Sequence, residues 1–176
     1  MIDPSTSFPI QWDASRRNFL AGAVTTASVA GIASAALAQT APAHLRFMNP
    51  AGIATPRGYS HVVEVTGPGR TVYIAGQLGF DAGGKVAGGP DDFRAQAAQV
   101  FENLKIALAA VGADFRHVVK LNSYLIDIAA HIPILREVRD GYISKESPPA
   151  STTIQISKLA RPDALLEIEA VAVLGG

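Results

Sequence analysis

Hydrophobic and polar positions alternate in two stretches near the C-terminal end of the chain. Across Ser151-Thr152-Thr153-Ile154-Gln155-Ile156, Thr153 falls on one face and Ile154 and Ile156 on the other. In the second stretch Leu166, Ile168 and Ala170 oppose Glu167 and Glu169. A period of two predicts half-buried strands. Pro148-Pro149 ends whatever helix precedes the first, and Arg161-Pro162-Asp163 turns the chain between them. Upstream, Val62 to Val65, Gly67-Pro68-Gly69 and Thr71 to Ala75 predict a hairpin. The period then changes. Phe93, Ala97, Val100, Phe101, Leu104, Leu108 and Val111 form one apolar stripe at helical spacing, opened by Pro90-Asp91-Asp92 and stopped by Gly112. Val118 to Ile126 predicts a strand. Asp127 to Ser144 predicts mainly a second helix, with Leu135, Val138 and Tyr142 inward and Arg136, Glu137 and Arg139 outward. The order ββ-α-β-α-ββ implies an α+β domain with both helices on one face of a mixed sheet. The other face then needs cover of its own.

The first 38 residues do not share this pattern. Arg16-Arg17-Asn18-Phe19-Leu20 leads into an uncharged run, Ala21 to Ala38, that closes on Ala36-Leu37-Ala38. A basic start, a short apolar run and small residues before the cut describe an export signal. The paired arginines resemble the twin-arginine address for folded cargo. We therefore expect residues 1–38 to be a signal peptide, 39–57 an extended lead-in and 58–176 one domain. The expected location is the periplasm, with no stable membrane span after cleavage.

Composition narrows the chemistry. The 176 residues carry 15 basic and 15 acidic side chains, so no basic footprint suggests nucleic acid as a partner. No cysteine is present, which excludes disulfides and thiolate chemistry. The four histidines, His44, His61, His117 and His131, show no zinc-site spacing. The Gly-rich loop Asp81 to Gly89 lacks the spacing of a phosphate cradle and reads as a connector. No metal or cofactor is expected.

The ending P-A-S-T-T-I-Q-I…L-A-R-P-D-A-L-L-E-I-E-A-V-A resembles the last two strands of the RidA/YjgF reactive-intermediate deaminases. Gly58-Tyr59-Ser60-His61-Val62-Val63, Val72-Tyr73-Ile74-Ala75-Gly76-Gln77 and Val118-Val119-Lys120 with Tyr124-Leu125-Ile126-Asp127 match in the same order. The resemblance covers the chain from about Pro50 onward. It implies the chorismate-mutase-like fold of that family: a trimeric barrel with small-molecule clefts between neighbouring subunits. The implied reaction is hydrolysis of enamines and imines to a 2-oxo acid and ammonia, without a cofactor.

Residue by residue, the resemblance implies Tyr59, the cleft tyrosine, and Glu167, where a carboxylate holds the attacking water, as catalytic residues, with Gly76 and Gln77 among the substrate-binding ones. Thr153 falls where a backbone N–H helps bind a carboxylate. Side-chain alternation puts His61, and equally Arg57, on the face of Tyr59. One position departs. Where the family carries the arginine that anchors the substrate carboxylate, this chain has Ser151. Losing such a bidentate charged contact costs roughly 2–5 kcal/mol. Three readings follow: a homotrimer that binds a less acidic metabolite and hydrolyses it with a Glu167-held water, an active imine deaminase using another cation such as Arg57, or a binding protein without chemistry. Ribonuclease activity finds no support in the charge balance or the histidine spacing.

Overall fold

A computed structural model describes residues 42–175. The expected signal segment and the start of the lead-in lie outside them. Six strands and two α-helices follow in the order β1 (His44–Met48), β2 (Val62–Thr66), β3 (Gly69–Leu78), α1 (Phe93–Ala109), β4 (Val118–Leu125), α2 (Ile128–Arg139), β5 (Ala150–Gln155) and β6 (Leu166–Gly175). A single 3₁₀ turn, Phe115–His117, feeds β4. The main sheet runs β3-β6-β4-β5, antiparallel except for the parallel β4–β5 pair.

The expected pairing of β2 with β3 does not form. β2 pairs instead with β1, inside the lead-in that the sequence suggested was merely extended, from His44 opposite Thr66 to Met48 opposite Val62. β3 pairs with β6 at the far end of the sequence. The two-residue connection Gly67-Pro68 carried a turn signal, but a turn signal does not decide which edge each strand joins.

Both helices cover one face of the main sheet. Phe93, Ala97, Val100, Phe101, Leu104 and Leu108 of α1 are buried with Leu121 and Leu125 of β4, Leu166, Ile168, Ala170 and Ala172 of β6, and Leu135 of α2. Asp92 caps α1 by accepting from the Ala95 N–H at 2.9 Å. The chain leaves α1 through Gly112, whose φ of +74° suits glycine. Asp127 caps α2 in the same way, and Gln155 of β5 accepts from the Ile128 N–H at 3.0 Å. That second contact ties the start of α2 to the edge strand. The opposite face carries Tyr73, Lys120, Asn122, Tyr124, Ile154, Glu167 and Glu169, with Tyr73 81% exposed and Ile154 44%. Ile154 therefore lies away from the helices, opposite in sense to Leu166 and Ile168.

Candidate active site

Small polar residues on the helix side of the sheet leave space that apolar ones would fill. Leu121 pairs with Ser151 and Ser123 with Thr153 along the parallel β4–β5 ladder. Ser123 is buried on the core face, with Ser151 and Thr153 beside it. Between these residues, α2 and the segment before β2 lies a cavity of about 340 Å³. That is ample for a small metabolite.

Ser60 brings the two sides of this cavity together. Its Oγ donates to the Pro148 carbonyl at 2.7 Å, its N–H to the Pro149 carbonyl at 3.2 Å, and it bridges to Ala150. Tyr59 and Arg57 are thereby held next to Ser151, over ninety positions away in sequence. Sequence reasoning missed Ser60 and Ser123, since a buried serine has no pattern of its own.

The cavity is lined by Arg57, Tyr59, Ser123, Ser151 and Thr153, and by Arg136 and Arg139 of α2. The expectation that Arg139 points outward is corrected here, whereas Arg136 is exposed as expected and still borders the cavity mouth. Glu137 does turn outward and pairs with Arg94 at 2.5 Å, but the other two border the cavity. Arg139 is the more enclosed, its side chain 19% exposed and paired with Asp140 at 2.7 Å. It packs over Gly58, where any side chain would run into the guanidinium and where φ is +79°. Asp140 sits below its ordinary carboxylate range, held there first by the Arg139 hydrogen bond and then by Lys145, against the pull of desolvation. The periodicity failed because an arginine stem is long enough to lie along apolar surface while its head enters a polar gap.

The remaining expected site residues lie elsewhere. Glu167 rises from the far face of the sheet, aligned with Tyr124 of β4 and Leu78 of β3. Its carboxylate lies against Gly76, close enough that a side chain at that position would collide with it. Gln77 folds back, donating to the Ala75 carbonyl at 3.1 Å. Within one chain, Gly76 and Glu167 thus form one group on the far face and Tyr59, Ser151 and Thr153 another on the helix side, while Gln77 stands opposite Ile168 of the helix face. His61 does not line the cavity. Its ring meets Tyr59 edge-on at 5.3 Å, with Nε2 against the Ala54 carbonyl at 2.7 Å.

Near Glu167, Glu169 accepts from Asn122 at 2.7 Å and from the Tyr124 hydroxyl at 3.0 Å. That bond, with desolvation and the charge of both glutamates, raises the Tyr124 pKa and keeps the phenol protonated. Among the described residues no group of three acidic, histidine or cysteine side chains could hold a metal. No helix among them is long and apolar enough to cross a membrane.

A family model described as endoribonuclease L-PSP matches residues 50–174. The chain belongs to this family, that of the RidA/YjgF proteins. Among curated relatives of this RidA/YjgF chain, protein DfrA of Myxococcus xanthus is 40% identical over 116 residues, covering 65% of this chain and 84% of the relative. The 2-iminobutanoate/2-iminopropanoate deaminase of Mus musculus is 38% identical over 119 residues, covering 66% and 82%. Among solved structures, the Rid-family protein YyfB of Yersinia pestis, whose function is unknown, superposes with a TM-score of 0.64 at 37% identity. The match covers 73% of this chain and 97% of YyfB. The α+β fold with two helices on a mixed sheet is the fold of the family.

Proposed function

We propose that this RidA/YjgF-family chain binds a small carboxylate-bearing metabolite in the arginine-lined cavity and hydrolyses its enamine or imine group to a 2-oxo acid and ammonia. One observation carries this reading: Arg57, Arg136 and Arg139 border a single cavity beside Ser151. From Ser151 alone, the sequence suggests weak turnover of 2-imino acids. A cation approaching from α2 replaces the missing fork from another direction, which favours the deaminase reading. The mouse deaminase's name agrees with that reaction class.

A guanidinium presents N–H donors in a plane that matches a carboxylate. Arg139 is already fixed by Asp140 and by its packing on Gly58, so little of its freedom is left to lose on binding. The hydroxyls of Ser123, Ser151 and Thr153 supply neutral donors, and Tyr59 forms a wall. An enamine first takes a proton at carbon and gives one up from nitrogen to become the imine. Water then adds to the imine carbon, forming the C–O bond as the π electrons move to nitrogen. Both protons of the water pass in turn from oxygen to nitrogen, an oxygen electron pair closes the carbonyl as the C–N bond breaks, and ammonia leaves with the electrons of that bond. No cofactor is needed.

Taking the proton from water is the role we give Glu167. A carboxylate on the far face of the sheet reaches such a cavity only from another copy of the chain. The reading therefore includes a homotrimer with clefts between neighbouring subunits. It also includes export through the twin-arginine route to the periplasm, on the residues at the N-terminus described above.

The test uses 2-iminobutanoate made in situ from an amino acid by an oxidase and followed by semicarbazone formation. The mature protein should speed imine loss. Arg139→Gln should lower kcat/KM by roughly tens to thousands of fold, the 2–5 kcal/mol of a lost enclosed charge pair. Glu167→Gln should remove turnover while leaving 2-oxobutanoate binding intact. Imine decay at its uncatalysed rate in the presence of wild-type protein overturns the hydrolase reading.

A further inference from the structure

We propose that the cavity is built for a ligand with two carboxylates, a 2-imino dicarboxylic acid or its 2-oxo acid, with Arg57 and Arg136 binding the second carboxylate. The inference rests on the reading above that this cavity is the ligand site, and it names the substrate class.

Eight arginines fall within the described residues: Arg46, Arg57, Arg70, Arg94, Arg116, Arg136, Arg139 and Arg161. Arg46 pairs with Glu64, Arg94 with Glu137, Arg116 with Asp114, Arg139 with Asp140 and Arg161 with Asp163. Arg70 donates to the Val111 carbonyl at 2.5 Å. Only Arg57 and Arg136 make neither an ion pair nor a hydrogen bond to another described residue. Both line the same cavity.

Both residues are exposed, and their guanidinium groups border one hollow from separate elements, the segment before β2 and the third turn of α2. Among the described residues no aspartate or glutamate lines the cavity. Arg139 brings a third guanidinium whose charge is offset in part by Asp140, which also faces Lys145 at 3.4 Å. A monocarboxylate on Arg139 would leave Arg57 and Arg136 as like charges across the same space. A second carboxylate turns that repulsion into two charge-assisted hydrogen bonds. Ser123, Ser151 and Thr153 are too short to substitute for it, and all are neutral. Discrimination follows from the unpaired state: a site built to satisfy charge disfavours an analogue that leaves it unsatisfied.

Calorimetric titration of the mature protein with 2-oxoglutarate and 2-oxobutanoate tests this, because both are stable oxo acids that differ in the second carboxylate. 2-Oxoglutarate should bind about tenfold tighter or better, the scale of one charge-assisted contact. Arg57→Gln and Arg136→Gln should each remove most of that advantage, lowering 2-oxoglutarate affinity more than 2-oxobutanoate affinity. Circular dichroism establishes that both variants are folded, and Arg136→Lys should recover part of the preference. Equal affinity for the two oxo acids, or no measurable binding of either, overturns the dicarboxylate assignment, whereas imine hydrolysis in the same protein would leave the hydrolase reading standing. A dicarboxylate preference without any imine turnover does the reverse.

Discussion

Asp114 illustrates how a single side chain acquires a measurable role. Its Oδ1 accepts from the Arg116 N–H at 2.9 Å, and its Oδ2 faces the Arg116 guanidinium at 2.6 Å. These bonds, the side-chain one first, lower its pKa from 3.8 to about 2 against the pull of desolvation. The folded value lies below the unfolded one. The stabilisation is therefore fully present above about pH 4 and lost as pH falls toward 2. The carboxylate is 45% exposed, so screening keeps the effect small. We expect Asp114→Asn to lower the melting temperature at pH 7 and the difference from wild type to shrink as pH falls toward and through 2, as read by differential scanning calorimetry. Ser151 stands at the same scale with the opposite lesson. Its identity as a departure from the family was legible from the chain, but its consequence was not. The arginines that compensate are on another element, and nothing in a list of residues measures the distance between them.

At the scale of elements, Gln96 holds α1 to the segment that leads into β6. It is fully buried, accepts from the Leu165 N–H at 2.9 Å, and donates to the Gly89 and Asp163 carbonyls at 3.0 and 3.1 Å. Gln96→Ala would strand those backbone groups without partners. A loss of about 2–4 kcal/mol is expected, since each buried unsatisfied group costs roughly 1–3 kcal/mol. Urea denaturation reads this as a lower midpoint with the same slope. α1 itself was legible because its stripe is continuous and Asp92 and Gly112 mark its ends. α2 was legible as a helix but not in its outer face. The Arg136 and Arg139 periodicity reads as solvent, and only the gap left by Ser123, Ser151 and Thr153 makes that face a wall.

At the scale of the molecule, one sheet face remains to be covered. Tyr73 and Ile154 stand on it beside Lys120, Asn122 and Glu169, an apolar and polar mixture more typical of an interface than of a solvent face. Closed threefold assembly, as we propose, leaves no open end. Light scattering should give three times the mass of one chain, and Tyr73→Glu should yield monomers that lose imine turnover, because Glu167 then has no neighbouring cavity to serve. A stable wild-type monomer at micromolar concentration would sink both the assembly and the shared site. Export belongs to the same scale. Changing Arg16 and Arg17 together to Lys should leave precursor in the cytoplasm, and N-terminal sequencing of periplasmic protein should begin near Gln39. Unchanged export of that variant rules out the twin-arginine route.

By itself the sequence determined both helices, the strands from β2 onward and their order, and the buried face of α1 and β6, but not strand β1 or the buried face of β5. These follow from periods of two and 3.6 residues, which are properties of neighbouring positions. Likewise local were the caps of Asp92 and Asp127. Strand pairing was not: β2 joins β1 rather than β3, because an edge is chosen by what else competes for it. Nor was the division of the site residues into two groups on opposite faces of the sheet. Glu167 and Thr153 each alternate correctly within their own strands, yet their relative face depends on the register of β5 and β6 against β4. Tertiary structure alone decided that Arg139, marked as solvent-facing by its helix, would be enclosed beside the cavity of Ser151, for a guanidinium goes where the packing of other elements leaves a polar hollow within its reach.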